Sequence, residues 1–340
     1  MSIDHSRSRR PRLGLAVGDP AGIGPELAVK LLADAEVRAA TDLVVVGDRR
    51  VLDREARALG MDLDGLASSV TGAPPAGDGT VILDLSHLDP GDITVGSATA
   101  EGGRFALDNF DACLRLAAAG GLDGVCFTPF NKAAMHLAHA SYVDEIGHVA
   151  EALGCGADEA REFNVLDGLW NARVTSHVPL SSVPALVTFD AVLTGIRLTD
   201  RALRLAGFAR PRIAVAALNP HAGDGGNFGH EDDGIIAPAV SAAREQGIAA
   251  EGPFPSDTVF LRAVKGAFDA VVTMYHDQGQ IAMKLIGFDR GVTLLAGFPF
   301  PICTPAHGSA YDIAGLGIAD VGASRAAVLL AARMASTGRG

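Results

Sequence analysis

Short apolar runs alternate along the chain with longer amphipathic stretches. Seven of the apolar runs predict strands: Leu13–Val17, Leu43–Gly47, Val81–Leu85, Gly124–Thr128, Arg212–Leu218, Ala270–Met274 and Gly291–Leu295. The stretches between them predict helices, of which the clearest are Ala98–Ala119, Phe189–Ala206 and Asp232–Gln246. Strands that alternate with helices at this spacing predict an α/β fold with a largely parallel sheet. The segment Ala67–Thr80, rich in Gly, Pro and Ser, predicts a loop.

Length, charge and cysteine content narrow the functional class. A chain of 340 residues suits one large catalytic unit or two closely packed domains. The net charge of -12 argues against a nucleic-acid partner, because binding phosphates requires clustered Lys and Arg. No apolar run approaches the roughly 20 residues that span a bilayer. The four scattered cysteines predict free thiols in a reducing compartment, the cytoplasm. Residues 1–12 carry a basic stretch without the apolar segment of a signal peptide, so we expect them to form a disordered tail.

Three histidines each follow a strand-like segment. His177 lies in SHVPL after Ala172–Thr175, His221 lies in NPHAG, and His276 lies in YHDQG. Active sites of open parallel sheets gather at the ends of the strands. Three imidazoles with an open fourth position are typical of catalytic metal sites. Each histidine alone is also explained by a turn or a strand cap, and that alternative stays open from spacing alone.

Two glycine-rich segments also follow predicted strands. GDPAGIGPE (18–26) has neither the ending of a P-loop nor the spacing of a Rossmann fingerprint, so a nucleotide would bind elsewhere. Pro25 predicts the first turn of a helix, and Asp19 is a candidate substrate contact. In residues 221–231, glycines allow backbone amides to approach a ligand closely. Carboxylates at Asp257 and Asp277 are suited to orient an imidazole or to complete a coordination shell.

The segment HGSAYDIAG (307–315) resembles the adenosine-binding loop of isocitrate and isopropylmalate dehydrogenases. The resemblance implies that this loop holds the adenosine end of NAD without a Rossmann fold. The implied cofactor residues are His307, Gly308, Ser309, Ala310, Asp312 and Ile313. The Asp312 carboxylate would accept hydrogen bonds from the ribose hydroxyls and repel a 2′-phosphate, which favours NAD over NADP. A helix that begins here with Ser309 as its N-cap is compatible with the same residues.

Seven segments in order make the chain resemble the 4-hydroxythreonine-4-phosphate dehydrogenase family from about Leu13 to Val328. They are GDPAGIGPE, Thr128-Pro129 to Lys132, SHVPL, NPHAGDGGNFG, PSDTVF, MYHDQG with Lys284, and HGSAYDIAG. The resemblance implies an isocitrate- and isopropylmalate-dehydrogenase-like fold over residues 13–340, with two closely packed α/β subdomains. One lobe would come mainly from the chain ends and the other from the middle. A homodimer with its active site at the interface is also implied.

The same resemblance assigns roles to the candidate residues. His177, His221 and His276 would bind a divalent cation, which histidine ligands suggest is Zn, with Co, Ni, Mn or Mg as alternatives. Asp257 would lie beside the cation and Lys284 would contact the substrate, which makes these two the catalytic candidates. The implied reaction is oxidation of a β-hydroxy acid by NAD, with the cation as Lewis acid, followed by loss of carbon dioxide.

The predicted substrate pocket departs from the family pattern. Thr293 stands at a family asparagine, Ile302 at a family arginine, and Asp144-Glu145-Ile146 at a Gly-His-Thr motif. Loss of a bidentate arginine and gain of Glu145 reduce the positive charge that a phosphate would meet. The substrate-binding candidates are Asp19, Glu145, Ile146, Lys284, Thr293 and Ile302.

These departures leave several functions open. They favour a divergent relative that oxidises another hydroxy acid, unphosphorylated and catabolic, as in the relatives that act on terephthalate dihydrodiol. The alternative is the enzyme of pyridoxal phosphate biosynthesis itself, with the phosphate held by Lys284, Arg290 and backbone amides. A non-catalytic metal- or nucleotide-binding protein is an alternative of another class, although the full set of candidate ligands argues against it. An isopropylmalate-type enzyme would instead bind its metal through carboxylates.

Overall fold

The computed structural model describes residues 9–70, 79–156, 160–287 and 290–338. These residues divide into two compact units. The first comprises Met1–Val143 with Gly308–Gly340, and the second comprises Asp144–His307. The chain therefore leaves its first unit once, builds the second from its middle, and returns.

Strands and helices alternate along most of the described chain. The strands are β1 (Arg12–Ala16), β2 (Asp42–Gly47), β3 (Ala67–Ser69), β4 (Val81–Asp84), β5 (Gly124–Phe127), β6 (Arg161–Leu166), β7 (Leu169–Arg173), β8 (Arg212–Ala216), β9 (Ala249–Phe254), β10 (Ala270–Thr273), β11 (Val292–Ala296) and β12 (Ile302–Pro305). The helices are α1 (Gly24–Ala33), α2 (Ala35–Ala40), α3 (Arg49–Ala58), α4 (Ala100–Ala118), α5 (Lys132–Ala138), α6 (Glu145–Leu153), α7 (Val183–Leu186), α8 (Phe189–Leu205), α9 (Ala237–Glu245), α10 (Ser256–Ala263), α11 (His276–Gly287) and α12 (Gly322–Thr337).

The strands of the first unit run parallel in the order β3-β4-β2-β1-β5. Every residue of β2 is buried, as expected for a strand in a parallel sheet whose two faces are both covered. Arg12 opens β1, and Arg10 makes a 2.7 Å salt bridge with Asp42, so ordered structure begins inside the segment assigned to the tail. Residues 1–8 lie outside the described residues.

The second unit has the strand order β12-β11-β6-β7-β10-β8-β9. Neighbouring strands from β12 to β7 are antiparallel. From β7 to β9 they are parallel. A cluster of buried side chains, among them Phe260, Val271 and Met283, packs α10 and α11 against this sheet. The predicted α/β class with a largely parallel sheet is confirmed.

The seven predicted strands are all present, with ends that differ by one or two residues. Five further strands, β3, β6, β7, β9 and β12, are not among these seven, because they are short, polar in alternation or interrupted by Gly-Pro. The strand-like segment Ala172–Thr175 overlaps only the end of β7. The loop prediction for Ala67–Thr80 is wrong at Ala67–Ser69, which pairs with β4, and residues 71–78 lie outside the described residues. The predicted helix Asp232–Gln246 begins with a π-helical turn, Asp232–Ile236, before α9.

The structure also shows the state of the cysteines and the length of the apolar helices. Cys113, Cys126 and Cys303 are buried and Cys155 is exposed, and all four are free thiols. No single helix in the described ranges is long and apolar enough to cross a membrane, although the bent pair Leu180–Leu186 and Phe189–Leu205 passes by length and composition.

Candidate active site

The three candidate histidines follow three neighbouring parallel strands of the second unit. His177 lies four residues after β7, His276 opens α11 after β10, and His221 follows β8. The strand order β7-β10-β8 places β10 between the other two. The structure brings His177 and His276 together, with ring centroids 5.6 Å apart.

Each member of this histidine pair has a carboxylate beside its Nδ1 atom. His276 Nδ1 lies 2.7 Å from Asp277 Oδ1, and His177 Nδ1 lies 3.9 Å from Asp144 Oδ2. A carboxylate oxygen accepts hydrogen bonds, so this contact favours the tautomer of His276 that carries its proton on Nδ1. In that tautomer the lone pair lies on Nε2, which is the usual arrangement around metal-binding histidines. Both side chains are partly exposed, at 49% for His177 and 37% for His276.

His221 sits in an unusual backbone segment. Residues His221 to Gly225 all have positive φ angles, between 45° and 80°, including the non-glycine residues His221, Ala222 and Asp224. The buried Asp232 carboxylate anchors the start of this segment by accepting hydrogen bonds from the amides of Leu218 and Asn219. His177 also has a positive φ, of 50°. Left-handed backbone at non-glycine residues is unfavourable and clusters at functional sites.

The geometry supports only part of the predicted metal site. No group of three or more His, Cys, Asp or Glu side chains in the described ranges is placed to hold a metal ion. The rings of His177 and His276 are neighbours and offer two nitrogen donors to a cation. The neighbour of the His221 ring is instead Phe228, with ring centroids 6.0 Å apart. Asp257 is exposed in the first turn of α10. The pair therefore fits two positions of a coordination shell and needs further ligands.

A cavity of about 100 Å³ lies in the second unit between β6, β11 and α11. Two predicted substrate residues, Lys284 from α11 and Thr293 from β11, line it. They are joined by Glu162, Asn164 and Gln280, which the sequence did not single out. Lys284 is exposed and Thr293 is half-buried, so polar groups on both walls are accessible to a ligand.

The other predicted substrate residues lie elsewhere. Ile302 is fully buried in β12, paired with Leu295 of β11, and is not among the residues that line the cavity. Glu145 and Ile146 form the first turn of α6, for which Asp144 is the N-cap. Asp144 thus both caps this helix and faces His177.

In the first unit, the GDPAGIG loop packs directly against the predicted cofactor loop. The Ile23 amide donates to the Ser309 carbonyl at 3.0 Å, and Asn131 Nδ2 donates to Ser309 Oγ at 3.3 Å. A side chain at Gly22 would place its Cβ 2.6 Å from the Ser309 carbonyl oxygen, so only glycine permits this approach. Pro25 lies in the first turn of α1, as predicted.

Asp19, predicted to contact substrate, is buried beneath the cofactor loop. Its Oδ2 accepts a 2.5 Å hydrogen bond from the Tyr311 hydroxyl, and its Oδ1 accepts one from the Ala21 amide. Burial raises the pKa of Asp19 above its ordinary value, against the effect of these two hydrogen bonds. Burial and the neighbouring carboxylate also raise the pKa of Tyr311. The carboxylate therefore joins the two loops.

The cofactor loop is not the start of a helix. The chain from Gly308 to Val321 forms turns, and the next helix, α12, begins only at Gly322, so Ser309 is not an N-cap. Ser309 is buried, Ala310 has a φ of 43°, and Asp312 is exposed. The carboxylate of Asp312 is thus accessible to a ribose, whereas Ser309 supports the loop from within.

Comparison with known proteins gives consistent results. The model of the family described as pyridoxal phosphate biosynthetic protein PdxA matches residues 39–331. A Rhizobium meliloti (strain 1021) protein named putative 4-hydroxythreonine-4-phosphate dehydrogenase 2 is 57% identical over 99% of this chain and 97% of its own. A Symbiobacterium thermophilum protein named putative D-threonate 4-phosphate dehydrogenase is 38% identical, covering 97% of this chain and 98% of its own. The crystal structure of 4-hydroxythreonine-4-phosphate dehydrogenase from Klebsiella pneumoniae aligns with a TM-score of 0.80 at 34% identity, covering 96% of this chain and 99% of that one.

Proposed function

This chain belongs to the family of the pyridoxal phosphate biosynthetic protein PdxA, and we propose that it oxidises a β-hydroxy acid with NAD and a divalent cation. Its relatives are dehydrogenases, so the chain is an oxidoreductase that acts on a CH–OH group. Loss of carbon dioxide from the β-keto acid product completes the proposed reaction. The observation that carries the proposal is the His177–His276 pair, with a carboxylate at each Nδ1.

The cation would be held by Nε2 of His177 and of His276, with His221 as the third ligand and Asp257 nearby. Bound there, it would act as a Lewis acid on the substrate hydroxyl. Asp277, whose carboxylate lies 2.7 Å from Nδ1 of His276, would orient this ring and direct its Nε2 to the cation. Zinc is the cation that three imidazoles suit best, and Co, Ni, Mn and Mg are the alternatives to compare.

We place the third ligand on a second copy of the chain. The described residues of one chain bring together only two of the three histidines, and a catalytic metal site normally has three protein ligands. The partly exposed pair is accessible to such a ligand. The proposed enzyme is therefore a homodimer with its active site at the interface. Its four free thiols favour the cytoplasm as its compartment.

NAD would bind at the cofactor loop, 307–313. The exposed carboxylate of Asp312 would accept hydrogen bonds from the adenosine ribose, and it would repel the 2′-phosphate of NADP. Ser309 and Tyr311 hold the loop on the GDPAGIG segment, which keeps its conformation fixed before the cofactor arrives. A fixed loop lowers the entropy lost on binding.

Two substrates deserve direct comparison. The name of the R. meliloti relative specifies 4-hydroxythreonine-4-phosphate as substrate, and that of the S. thermophilum relative specifies D-threonate 4-phosphate. The second carries a hydroxyl where the first carries an amino group. The departures at Glu145 and Ile146 favour a change in substrate, which makes the hydroxy acid the second candidate. Ile302 stands where the family has an arginine, and this loss of a positive charge favours an unphosphorylated hydroxy acid as a third candidate.

The test is NAD reduction by the purified, metal-loaded protein, followed by absorbance. The substrates are both 4-phosphates, unphosphorylated 4-hydroxythreonine and a cis-dihydrodiol acid. We expect His276→Ala to abolish turnover and His139→Ala, an exposed histidine of the first unit, to retain it. If metal binds but no hydroxy acid is oxidised, the protein is a binding protein without catalysis.

A further inference from the structure

Asp232 is a buried carboxylate that packs against the turn on which His221 lies. Its side chain is 0% exposed, and both of its oxygens accept hydrogen bonds from the backbone. Oδ1 accepts from the Leu218 amide at 2.8 Å, and Oδ2 accepts from the Asn219 amide at 3.1 Å. Removing a carboxylate from water is unfavourable unless hydrogen bonds replace its hydration. The two amides are this replacement, so Asp232 and the chain at residues 218–219 hold each other in place.

The turn that follows has a conformation that a chain does not adopt without support. His221, Ala222 and Asp224 lie in the left-handed region, with φ angles of 53°, 55° and 45°. In this region the Cβ of a non-glycine residue comes too close to the next carbonyl oxygen, so such residues usually occur singly. A run of five left-handed residues, from His221 to Gly225, therefore needs fixed ends.

Contacts along the turn lead back to Asp232 and to its neighbour Glu231. Asn219, just before the turn, donates from Nδ2 to Oε2 of Glu231 at 2.8 Å. A Cβ at Gly223 would lie 3.5 Å from Oδ2 of Asp232, so the middle of the turn packs against the same carboxylate. The amide of Phe228 closes the far side by donating to the Gly223 carbonyl at 3.1 Å. The backbone that carries His221 is thus built around Asp232.

We propose that Asp232 is a positioning residue for His221, because its carboxylate selects the left-handed turn and so directs the imidazole toward the cation. His221 is exposed, so the backbone beneath it sets where its ring lies. Asp232 does not bind the cation and acts only through His221. The inference rests on the proposed function, since it takes His221 as a ligand of the cation.

The zinc affinity of variants tests this role. Asparagine has nearly the same shape but offers one accepting oxygen and one donating NH2 group, so Asp232→Asn leaves one of the two amides without an acceptor. We expect zinc binding about 10- to 100-fold weaker than in the wild type, measured by competition with a chromophoric chelator. Asp233→Asn, the same change at the adjacent exposed carboxylate, is the matched control and should bind zinc as the wild type does. Asp232→Ser, which keeps one accepting oxygen, replaces Asp232→Asn if that variant does not fold.

A double-mutant cycle separates positioning from a general loss of stability. In the His221→Ala protein, Asp232→Asn should have no further effect on zinc affinity, because the residue that it positions is gone. Ala222→Gly removes one unfavourable left-handed residue and should recover about 5-fold of the affinity lost in Asp232→Asn. If Asp232→Asn weakens zinc binding equally with and without His221, the carboxylate acts on the fold in general and the inference is overturned.

Hydrogen exchange measures the turn in the metal-free protein. Asp232→Asn should speed exchange of the amides in residues 218–228 and leave α8 unchanged, and unchanged exchange in the turn would overturn the inference even where no cation binds. A folded Asp232→Asn protein with wild-type zinc affinity also overturns it, while NAD reduction by that protein leaves the proposed function standing. Zinc affinity that depends on Asp232 through His221, without NAD reduction by any hydroxy acid, removes only the proposed catalysis.

Discussion

The hydroxyl of Tyr311 donates a 2.5 Å hydrogen bond to the buried carboxylate of Asp19. This contact joins two loops that are almost 300 residues apart in sequence, the GDPAGIG loop after β1 and the proposed cofactor loop. Tyr311→Phe would leave that carboxylate with one hydrogen bond fewer and would lower the free energy of unfolding by about 1–3 kcal/mol. We expect a raised KM for NAD with kcat largely retained, measured by steady-state kinetics.

Tyr142→Phe is the control for this prediction, because it removes a buried tyrosine hydroxyl from another segment of the same unit. A Tyr311→Phe enzyme with an unchanged KM for NAD would show that the contact stabilises the unit without shaping the cofactor site.

The close approach of Gly22 to Ser309 makes a second prediction. Gly22→Ala would place a methyl group 2.6 Å from the Ser309 carbonyl oxygen, so one of the two loops must move. We expect a loss of about 1–3 kcal/mol in the free energy of unfolding, measured by urea denaturation, together with weaker NAD binding. Gly65→Ala, where an added Cβ meets no atom within 4 Å, should change stability by less than about 0.5 kcal/mol. Equal stabilities for the two variants would contradict this account.

Asp277 should tune metal affinity through His276. Its carboxylate lies 2.7 Å from Nδ1 of the ring, and such partners typically contribute 10- to 100-fold to metal binding. Asp277→Asn should therefore weaken zinc binding by a factor in this range, measured by competition with a chromophoric chelator. Asp190→Asn, an exposed carboxylate of α8, should leave the affinity unchanged. If the two variants bind zinc equally well, Asp277 does not orient the ring.

The origin of the third histidine can be tested by mixing inactive variants. His177 and His276 are adjacent in one chain, whereas we place the third ligand, His221, on its partner. Refolding His221→Ala together with His276→Ala should therefore form mixed dimers with one intact site and restore up to about a quarter of the wild-type activity. Mixing His177→Ala with His276→Ala should restore none, because neither arrangement assembles an intact pair. If neither mixture restores activity, all three ligands lie on one chain. Restoration by the second mixture alone would place His177 and His276 of one site on different chains.

Acid should reduce the contribution of Asp48 to stability. Asp48 is buried and caps α3, and its carboxylate accepts from Arg50 and from the Leu88 amide. Burial alone would raise its pKa, but these bonds hold the pKa below the ordinary value of 3.8. A depressed pKa stabilises the fold above about pH 4, and this contribution is lost as the pH falls through the folded-state value. Asp48→Asn should therefore reduce the urea midpoint more at pH 7 than at pH 3. An equal reduction of the urea midpoint at both pH values would contradict the stabilising role of the Asp48 carboxylate.

Local patterns in the sequence determined the elements that lie inside the sheet. The runs that became β1, β2, β8 and β10 are apolar because both faces of a parallel sheet are covered, so composition alone marks them. The strands β6 and β12 escaped prediction because their partners, adjacent in space but not in sequence, supply the ladder that makes them strands. The placement of each histidine after a strand was also readable, since the end of a strand is a local feature.

Only the tertiary structure decided which of these residues meet. The strand order β7-β10-β8 makes His177 and His276 neighbours, and no spacing in the chain encodes that order. Pairing of β6 with β11 likewise brought Asn164 opposite Thr293 and left its amide at a cavity. Asp19, expected at the substrate, proved to be buried under Tyr311. The sequence determined which chemical groups are present, whereas burial, register and contact, which arise between distant segments, determined which of them can act together.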